Sequence, residues 1–470
     1  HVNRCHPQET TKCAEVRSMR VLVVGSGARE HAVVWKLRQS PNVSDVLCAP
    51  GNPGMAALAT CIDVPATSIE KLADLAHVQH VDLTVACAEE AIHNGIVDYF
   101  KHRRMRIFGP SREAARLSWS RYFAKELMLK HKIPTARYAA FEREDLARAY
   151  VESRKPPIVI KPGGPSGGYG VAVASSHQEA HDTLARLFSR GTGPANETVI
   201  IEDFLEGEEV SVEVVCDGAR AVTMVAVQVA RRLRDEDRGP ITPGMGAYAP
   251  CTTFGDKAIR QAIERIIDPL ILALSNGGTP YTGVLHLNLS IDAELKPRVL
   301  GIGSTLGDLE SQVLLPLLDE DLFEIFWAVT EGDLAHFLEA GFRFSPYHCL
   351  ALAICGQGHR WAAKAPLQIN GLAELEKRNL LTIEKQVLDK ARPIAITVRP
   401  LIFHEGAGAH ANSFNISAEP GQAAAGARIL TLSVIGESLL DAKVAAYELA
   451  GRIEFEGMHY RRDVGDRGLE

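Results

Sequence analysis

The 470-residue chain has no apolar run approaching the length of a membrane span, so a soluble protein is expected. It has no CxxC pair and no close Cys/His spacing, and its nine cysteines are scattered. That argues against a zinc site or a disulfide framework, and for a reducing compartment, either the cytoplasm or an organellar matrix. It has no excess of positive charge. A formal balance of −7 argues against nucleic acid or an anionic membrane as the main partner, while leaving room for local basic clefts that hold phosphates. There is no internal repeat and no low-complexity linker. The stretch before Met19, "HVNRCHPQETTKCAEVRS", lacks an apolar signal core, and its Glu9 and Glu15 argue weakly against an organellar presequence. A processed leader and a disordered extension both stay open there.

What the chain does have is ordinary for a globular protein: 46% hydrophobic and 23% charged residues. Its length suits three or four domains. The run Val21 to Val24 reads as a buried parallel strand, followed by a glycine turn and a helix opening near Arg29. Further strand-like runs ("DVLCAP", "VDLTVAC", "MRIFGP") alternate with helical segments, which predicts a doubly wound α/β unit. Beyond it lie a helix halted by Pro134, a strand–glycine loop–strand unit around "PIVIKPGGPSGGYGVAVAS", and the strands of "ETVIIEDFLEGEEVSVEVVCDG". A strand pair on either side of "DAELK" and a last α/β stretch follow. The expected class is α/β and α+β multidomain.

The blocks "VLVVGSGAREHA", "APGNPG", "IFGPS", "HKIPTA", "IEDFLEGEEVS", "GMGAYAP" and "RRDVG" occur in a fixed order. Together they resemble the glycinamide ribonucleotide synthetase family, the phosphoribosylamine–glycine ligases of purine biosynthesis. The resemblance covers about residues 19–466. It implies an extension (1–18), a dinucleotide-fold-like domain (19–137), the small (138–207) and large (208–343) lobes of an ATP-grasp module, and a C-terminal domain (344–470). It implies ATP and Mg²⁺ as cofactors, glycine activated as an acyl phosphate, and attack on it by the amine of phosphoribosylamine. Nucleotide-binding positions carried over are Lys125, Lys161, Glu202 and Glu209. Substrate-side positions are Gly27, Arg29, Glu30, Glu89 and Asp308, with Gly25 and His31 in the same opening motif.

The family holds its metal with a Glu and an Asn two residues apart on a strand, so that both side chains face one ion. In "VLGIGSTLGDLES" those positions are Gly301 and Gly303, and the family's Arg is Thr305. Neither glycine has a side-chain ligand, so no ordered divalent ion is expected near 301–310. Further departures are Tyr169 for a lysine and Gly163 for an aspartate in the phosphate loop. Trp119 stands for a glycine, Arg121 for a lysine, Val229 and Ala230 for an Asp and a His, and Pro243 for a loop glycine. Trp119, Tyr169 and Pro243 are expected to fill part of the cleft. His404, in "FHEG", reads as a structural histidine.

These losses favour a non-catalytic homologue kept as a binding or assembly subunit. Such a subunit would need no cofactor and would take its place in a larger protein assembly, docking through residues 1–18 or through "HRWAAKAPLQINGLAELEKRNLL". The alternative is an active ligase using ATP, Mg²⁺ and small-molecule substrates. A ligase repurposed for another acid and amine ranks last, because it needs a metal site rebuilt from Asp308, Glu310 or another carboxylate.

Overall fold

The computed structural model describes residues 18–164, 170–189, 198–251, 255–356, 367–377, 381–385, 394–405, 413–414 and 427–469. Its first sheet is parallel, in the spatial order Thr60–Cys61, Val43–Pro50, Met19–Gly25, Leu83–Ala86, Ile107–Phe108. Residues Val21 to Val24 are completely buried, as a strand covered on both faces requires. The helix Ala28–Leu37 opens directly after the strand turn. There the Glu30 carboxylate accepts the Gly27 N–H at 2.6 Å, so an acidic side chain satisfies a free donor at the helix start.

Ser120 caps the next long helix, Arg121–Lys130, which ends before Pro134 as its sequence predicts. An antiparallel sheet follows, ordered Tyr138–Phe141, Val199–Asp203, Ile158–Pro162, Ala172–Ala174. Helices Glu144–Glu152 and His177–Ser189 cover it, with Ala147, Val151, Ile160 and Leu184 fully buried between the layers. Another antiparallel sheet is ordered Ala221–Thr223, Glu208–Asp217, Thr282–Ile291, Pro297–Gly303. The last two strands turn at Asp292, whose side chain accepts the N–H groups of Glu294 and Lys296.

A seven-stranded antiparallel sheet joins the middle of the chain to its end. Gln228–Arg234 and Arg238–Ala249 pair with each other, and the second pairs with His348–Gly356 through Gly246–Ala249. Ala427–Gly436, Ile394–His404 and Leu381–Lys385 extend the sheet, and Met458–His459 pairs with His348–Gly356. Between this sheet and the helix Ala28–Leu37 runs the helix Asp308–Leu317. Its Leu309, Val313 and Leu314 are buried in one core with Val33, Met245, Ala247, Cys349 and Ala351. This helix carries Asp308 and Glu310 on its first turn, and its packing fixes where both carboxylates stand. No helix among the described residues is long and apolar enough to cross a membrane.

Candidate active site

Lys125 and Lys161 converge on Glu202. Lys125 comes from the helix Arg121–Lys130, Lys161 from the strand Ile158–Pro162, and their ammonium groups lie 3.1 and 3.0 Å from the two Glu202 oxygens. All three side chains are buried. Burial alone would raise the Glu202 carboxyl, but Lys161 and Lys125 hold it below its ordinary range. Burial presses Lys125 down to about 8, partly offset by Glu202 and reinforced by Lys161. Lys161 also donates to the Leu300 carbonyl at 2.8 Å, which ties the cluster to the strand that carries Gly301 and Gly303. Arg121 runs under the start of the glycine loop, donating to the carbonyls of Pro162 (2.6 Å) and Gly164. Burial lowers its pKa, against Glu202 and Glu89. Glu209 is not part of this cluster: its half-exposed carboxylate faces Arg231 at 3.8 Å.

A second constellation gathers the substrate-side positions. Arg29 donates to Thr305 Oγ1 (2.6 Å), the Leu306 carbonyl (3.1 Å) and Glu30 Oε1 (2.9 Å), and stands 3.7 Å from Glu89. Burial opposes its charge, but Glu30 and Glu89 more than offset this and raise its pKa. Thr305 Oγ1 also donates to Glu89 at 3.3 Å. Asp308 is paired with Arg428, and Arg428 reaches Glu405 at 3.3 Å. Glu405 in turn accepts the Ala28 N–H at 3.3 Å. Burial, then Glu30, pushes Glu405 up to about 7. The Gly27, Arg29, Glu30 and Glu89 positions are thus together, while Asp308 is shared with the C-terminal part of the chain.

The two glycine positions differ in their surroundings in the sheet. Register pairs Ser211 with Asn288 and Asn288 with Gly301; the neighbouring rung runs Glu213, His286, Gly303. A Cβ at Gly303 would press on the His286 ring at 3.3 Å, and one at Gly301 would touch Asn288 at 3.7 Å. His286 therefore crowds the space in front of Gly303, whereas an added Cβ at Gly301 would meet Asn288 only at ordinary contact distance. His286 Nδ1 bonds Glu213 Oε1 at 2.7 Å, and Glu213 Oε1 also accepts the Gly307 N–H at 2.9 Å. Glu310 accepts from Ser211 Oγ (2.8 Å) and Arg231 Nη2 (3.3 Å). Burial would lower His286, but Glu213 and Glu310 raise it to about 9.

Sequence reasoning missed Arg231, Glu213, His286, Arg428 and Glu405 as site residues. The signal for two of them was present: Glu213 stands between Val212 and Val214 in "EVSVEVV", and His286 between Leu285 and Leu287 in "GVLHLNL". The expected filling of the cleft by Trp119 is corrected. Trp119 lies against the first domain, donating to the Arg112 carbonyl at 3.5 Å and lining a surface hollow of about 750 Å³ with Tyr99 and Arg116. Pro243 accepts from Arg231 through its carbonyl at 3.2 Å. Tyr169, residues 1–17, 359–366 and 378–380 lie outside the described residues.

His31 and His404 meet in the interior. The His404 N–H donates to His31 Nδ1 at 3.0 Å, and their rings stand 5.6 Å apart. Burial, then His404, presses His31 down to about 3. A histidine depressed on folding stabilises fully above its unfolded pKa of about 6.5, and that stability drains away as pH falls towards the folded value. The wild-type unfolding free energy from urea titration is therefore expected to drop between pH 7 and 5 by up to ~1.4 kcal/mol per pH unit more than that of His31→Gln. Equal slopes for the two proteins would show that His31 is not held neutral.

Models of the phosphoribosylglycinamide synthetase N domain, ATP-grasp (A) domain and C domain match residues 19–118, 119–311 and 386–467. A phosphoribosylamine–glycine ligase of Ralstonia nicotianae is 36% identical over 453 residues, spanning 96% of this chain and 100% of its own. The chain belongs to the phosphoribosylglycinamide synthetase family. Another member, the phosphoribosylamine–glycine ligase of Caldanaerobacter subterraneus, is 34% identical over 447 residues, 95% of this chain and 99% of its own. The crystal structure of the Thermotoga maritima ligase superposes with a TM-score of 0.72 at 27% identity, over 95% of this chain and all of that one. A biotin carboxylase of Campylobacter jejuni shares the fold at a TM-score of 0.65 and 14% identity, over 94% of this chain and 93% of its own.

The family's ATP-grasp domain implies ATP and Mg²⁺. At Gly301 and Gly303 the residues do not fit a metal ion, since they offer only backbone and His286 fills the space before Gly303. Beyond that, nothing in the comparisons marks a degraded site, and they favour the ligase over the non-catalytic reading that the missing side chains suggest.

Proposed function

We propose that this chain is an ATP-dependent carbon–nitrogen ligase that joins glycine to phosphoribosylamine. The observation that carries the reading is the charge balance around Glu202. Two buried ammonium groups share one buried carboxylate, with Arg121 behind the adjoining glycine loop. That leaves an excess of positive charge, and a triphosphate is the ligand that would balance it. In this reading Lys161 and Lys125 exchange part of their hold on Glu202 for phosphate oxygens as the nucleotide arrives. The glycine carboxylate attacks the γ-phosphorus and ADP leaves. The amine of phosphoribosylamine then attacks the acyl phosphate, and inorganic phosphate leaves as the amide forms. Arg29, held by Glu30, Glu89 and Thr305, is the cation that orients the substrate end, since its place between the first domain and the 305–306 loop is fixed from both sides.

A second reading rests on a specific observation: Gly301 and Gly303 offer no side chain to a metal, which suits a catalytically silent subunit in a larger assembly. One assay separates the two. ADP release by the purified full-length chain should require both glycine and phosphoribosylamine. Absence of release with both substrates, by a protein that still melts cooperatively, would return the silent subunit to first place.

A further inference from the structure

We propose that Cys48 and Cys61 are a redox-active thiol pair, which a peroxide closes to a disulfide and a small dithiol reopens. The two residues are register partners in the parallel strands Val43–Pro50 and Thr60–Cys61, so their side chains leave the sheet on one face. Adjacent strands lie roughly 4.8 Å apart, within the Cα separation of about 4.4–6.8 Å that a disulfide spans. Both residues are free thiols. The Ile62 N–H donates to the Cys48 carbonyl at 2.9 Å and holds the register there. A Cβ placed on Gly51 would stand 2.9 Å from Cys48 Cβ, 3.1 Å from Cys61 Cβ and 2.5 Å from Cys61 Sγ. Both side chains therefore converge on that one turn.

The two thiols are unequal, which gives each a role. Cys48 is completely buried in one core with Val23, Met55 and Leu83, whereas Cys61 is half-buried on the edge strand, where a small oxidant reaches it. Hydrogen bonding with Cys48 brings Cys61 down to about 7, against burial; the same contact, then burial, pushes Cys48 up. The thiolate is the nucleophile, so Cys61 attacks first. Its sulfur takes one oxygen of hydrogen peroxide: an S–O bond forms, the O–O bond breaks, and hydroxide leaves and picks up a proton. Cys61 is then a sulfenic acid. The Cys48 thiol attacks that sulfur and gives up its proton, and water leaves as the S–S bond forms. Two thiols lose two electrons, and one peroxide becomes two waters. Cys87, another thiol of this core, follows the strand Leu83–Ala86 on the far side of Met19–Gly25, so Cys61 is the sheet neighbour that Cys48 meets.

The pair reaches the candidate active site through a single turn. The Gly51 N–H donates to the Gly25 carbonyl at 3.1 Å, and the Asn52 amide donates to the carbonyls of Ser26 and His404, each at 2.8 Å. Cys61 Sγ donates to the Asn52 carbonyl at 3.6 Å. A disulfide removes that S–H donor and draws Cys61 towards Cys48, so the turn loses one of its ties. Gly25 and Ser26 lead directly into the helix that carries Arg29, while Lys125, Lys161 and Glu202 lie on other elements. Oxidation therefore acts on the substrate end of the site. The thiol chemistry itself does not rest on the ligase reading, because it needs neither nucleotide nor substrate.

The test uses the reduced full-length protein, treated with hydrogen peroxide and then alkylated under denaturing conditions. Peptide mapping should show Cys48 linked to Cys61, and dithiothreitol added to the folded protein should reopen the link. Cys61→Ser should abolish the linked peptide and slow the oxidation of Cys48 by more than ~10-fold, since the thiolate that attacks first is gone. In Cys48→Ser, Cys61 should stop at the sulfenic acid and be trapped by dimedone. If that core variant fails to fold, mapping of the wild type decides. Exchange of the Gly51 amide should rise by at least ~10-fold in the oxidised form and return on reduction. Absence of the Cys48–Cys61 peptide would overturn the proposal, whether Cys61 stays reduced, pairs with another cysteine or persists as a sulfenic or sulfinic acid. So would a link that the dithiol does not reopen, and unchanged exchange at Gly51 would overturn the coupling to the turn.

Discussion

Glu202→Ala should destabilise the lobe built on Ile158–Pro162 and Val199–Asp203 by about 3–5 kcal/mol, because it leaves two buried lysines facing each other without a counter-charge. Hydrogen exchange in those two strands is the measurement, and protection there should fall by roughly 10²-fold or more. Removing one lysine should cost less, since Glu202 keeps the other. Lys125→Met and Lys161→Met separate the two contributions. Lys161→Met also removes the bond to the Leu300 carbonyl and should loosen the strand Pro297–Gly303 as well. Unchanged exchange in Glu202→Ala would mean that the lysines find water or another anion, and that the buried charge cluster is not what orders the lobe.

The second large effect is expected on turnover. Arg29→Gln keeps a polar side chain at the helix start but cannot reach Thr305, Leu306 and Glu30 together as the guanidinium does. The loop that leads into Asp308 then loses its anchor to the first domain. Misplacement of a positioned substrate by about 1 Å costs ~10² in rate. ADP release dependent on glycine and phosphoribosylamine should fall by about that factor, with the effect in kcat rather than in the KM for ATP. A loss confined to the KM for ATP would place Arg29 at the nucleotide instead of the substrate end.

How much of this was legible depends on whether a residue acts through local or distant partners. The buried run at Val21–Val24, the helix from Ala28 and its acidic first turn follow from apolar pattern and capping chemistry within a dozen residues. Lys161 and Glu202 could be placed because ordered motifs mark both. The glycines at 301 and 303 were visible as absences, but their neighbours were not. These are His286 and Asn288, which precede them by more than a dozen residues and meet them only through antiparallel register. Register is set by the whole sheet, and a one-residue slip would turn His286 to the other face. Arg428 and Glu405 were invisible for a similar reason, since they reach Asp308 and Ala28 from the last hundred residues of the chain. Trp119 was misplaced because its new bulk was assigned to the family's cleft, whereas the turn at Ser120 sends it to the first domain.

The sheet that runs from Gln228–Arg234 to Leu381–Lys385 makes the two halves of the chain a single piece of hydrogen-bonded fabric. A protein cut anywhere between residues 311 and 348 would expose the raw edge of Gly246–Ala249 on one fragment and of Cys349–Leu352 on the other. Unpaired apolar edges of that kind invite pairing with any neighbouring chain. The C-terminal region is therefore not a module that evolution or an engineer can trade for another. Fragments expressed separately would be recovered as aggregates or as a reassembled pair, and a nascent chain stalled before residue 348 would need a chaperone to shield its unfinished seam.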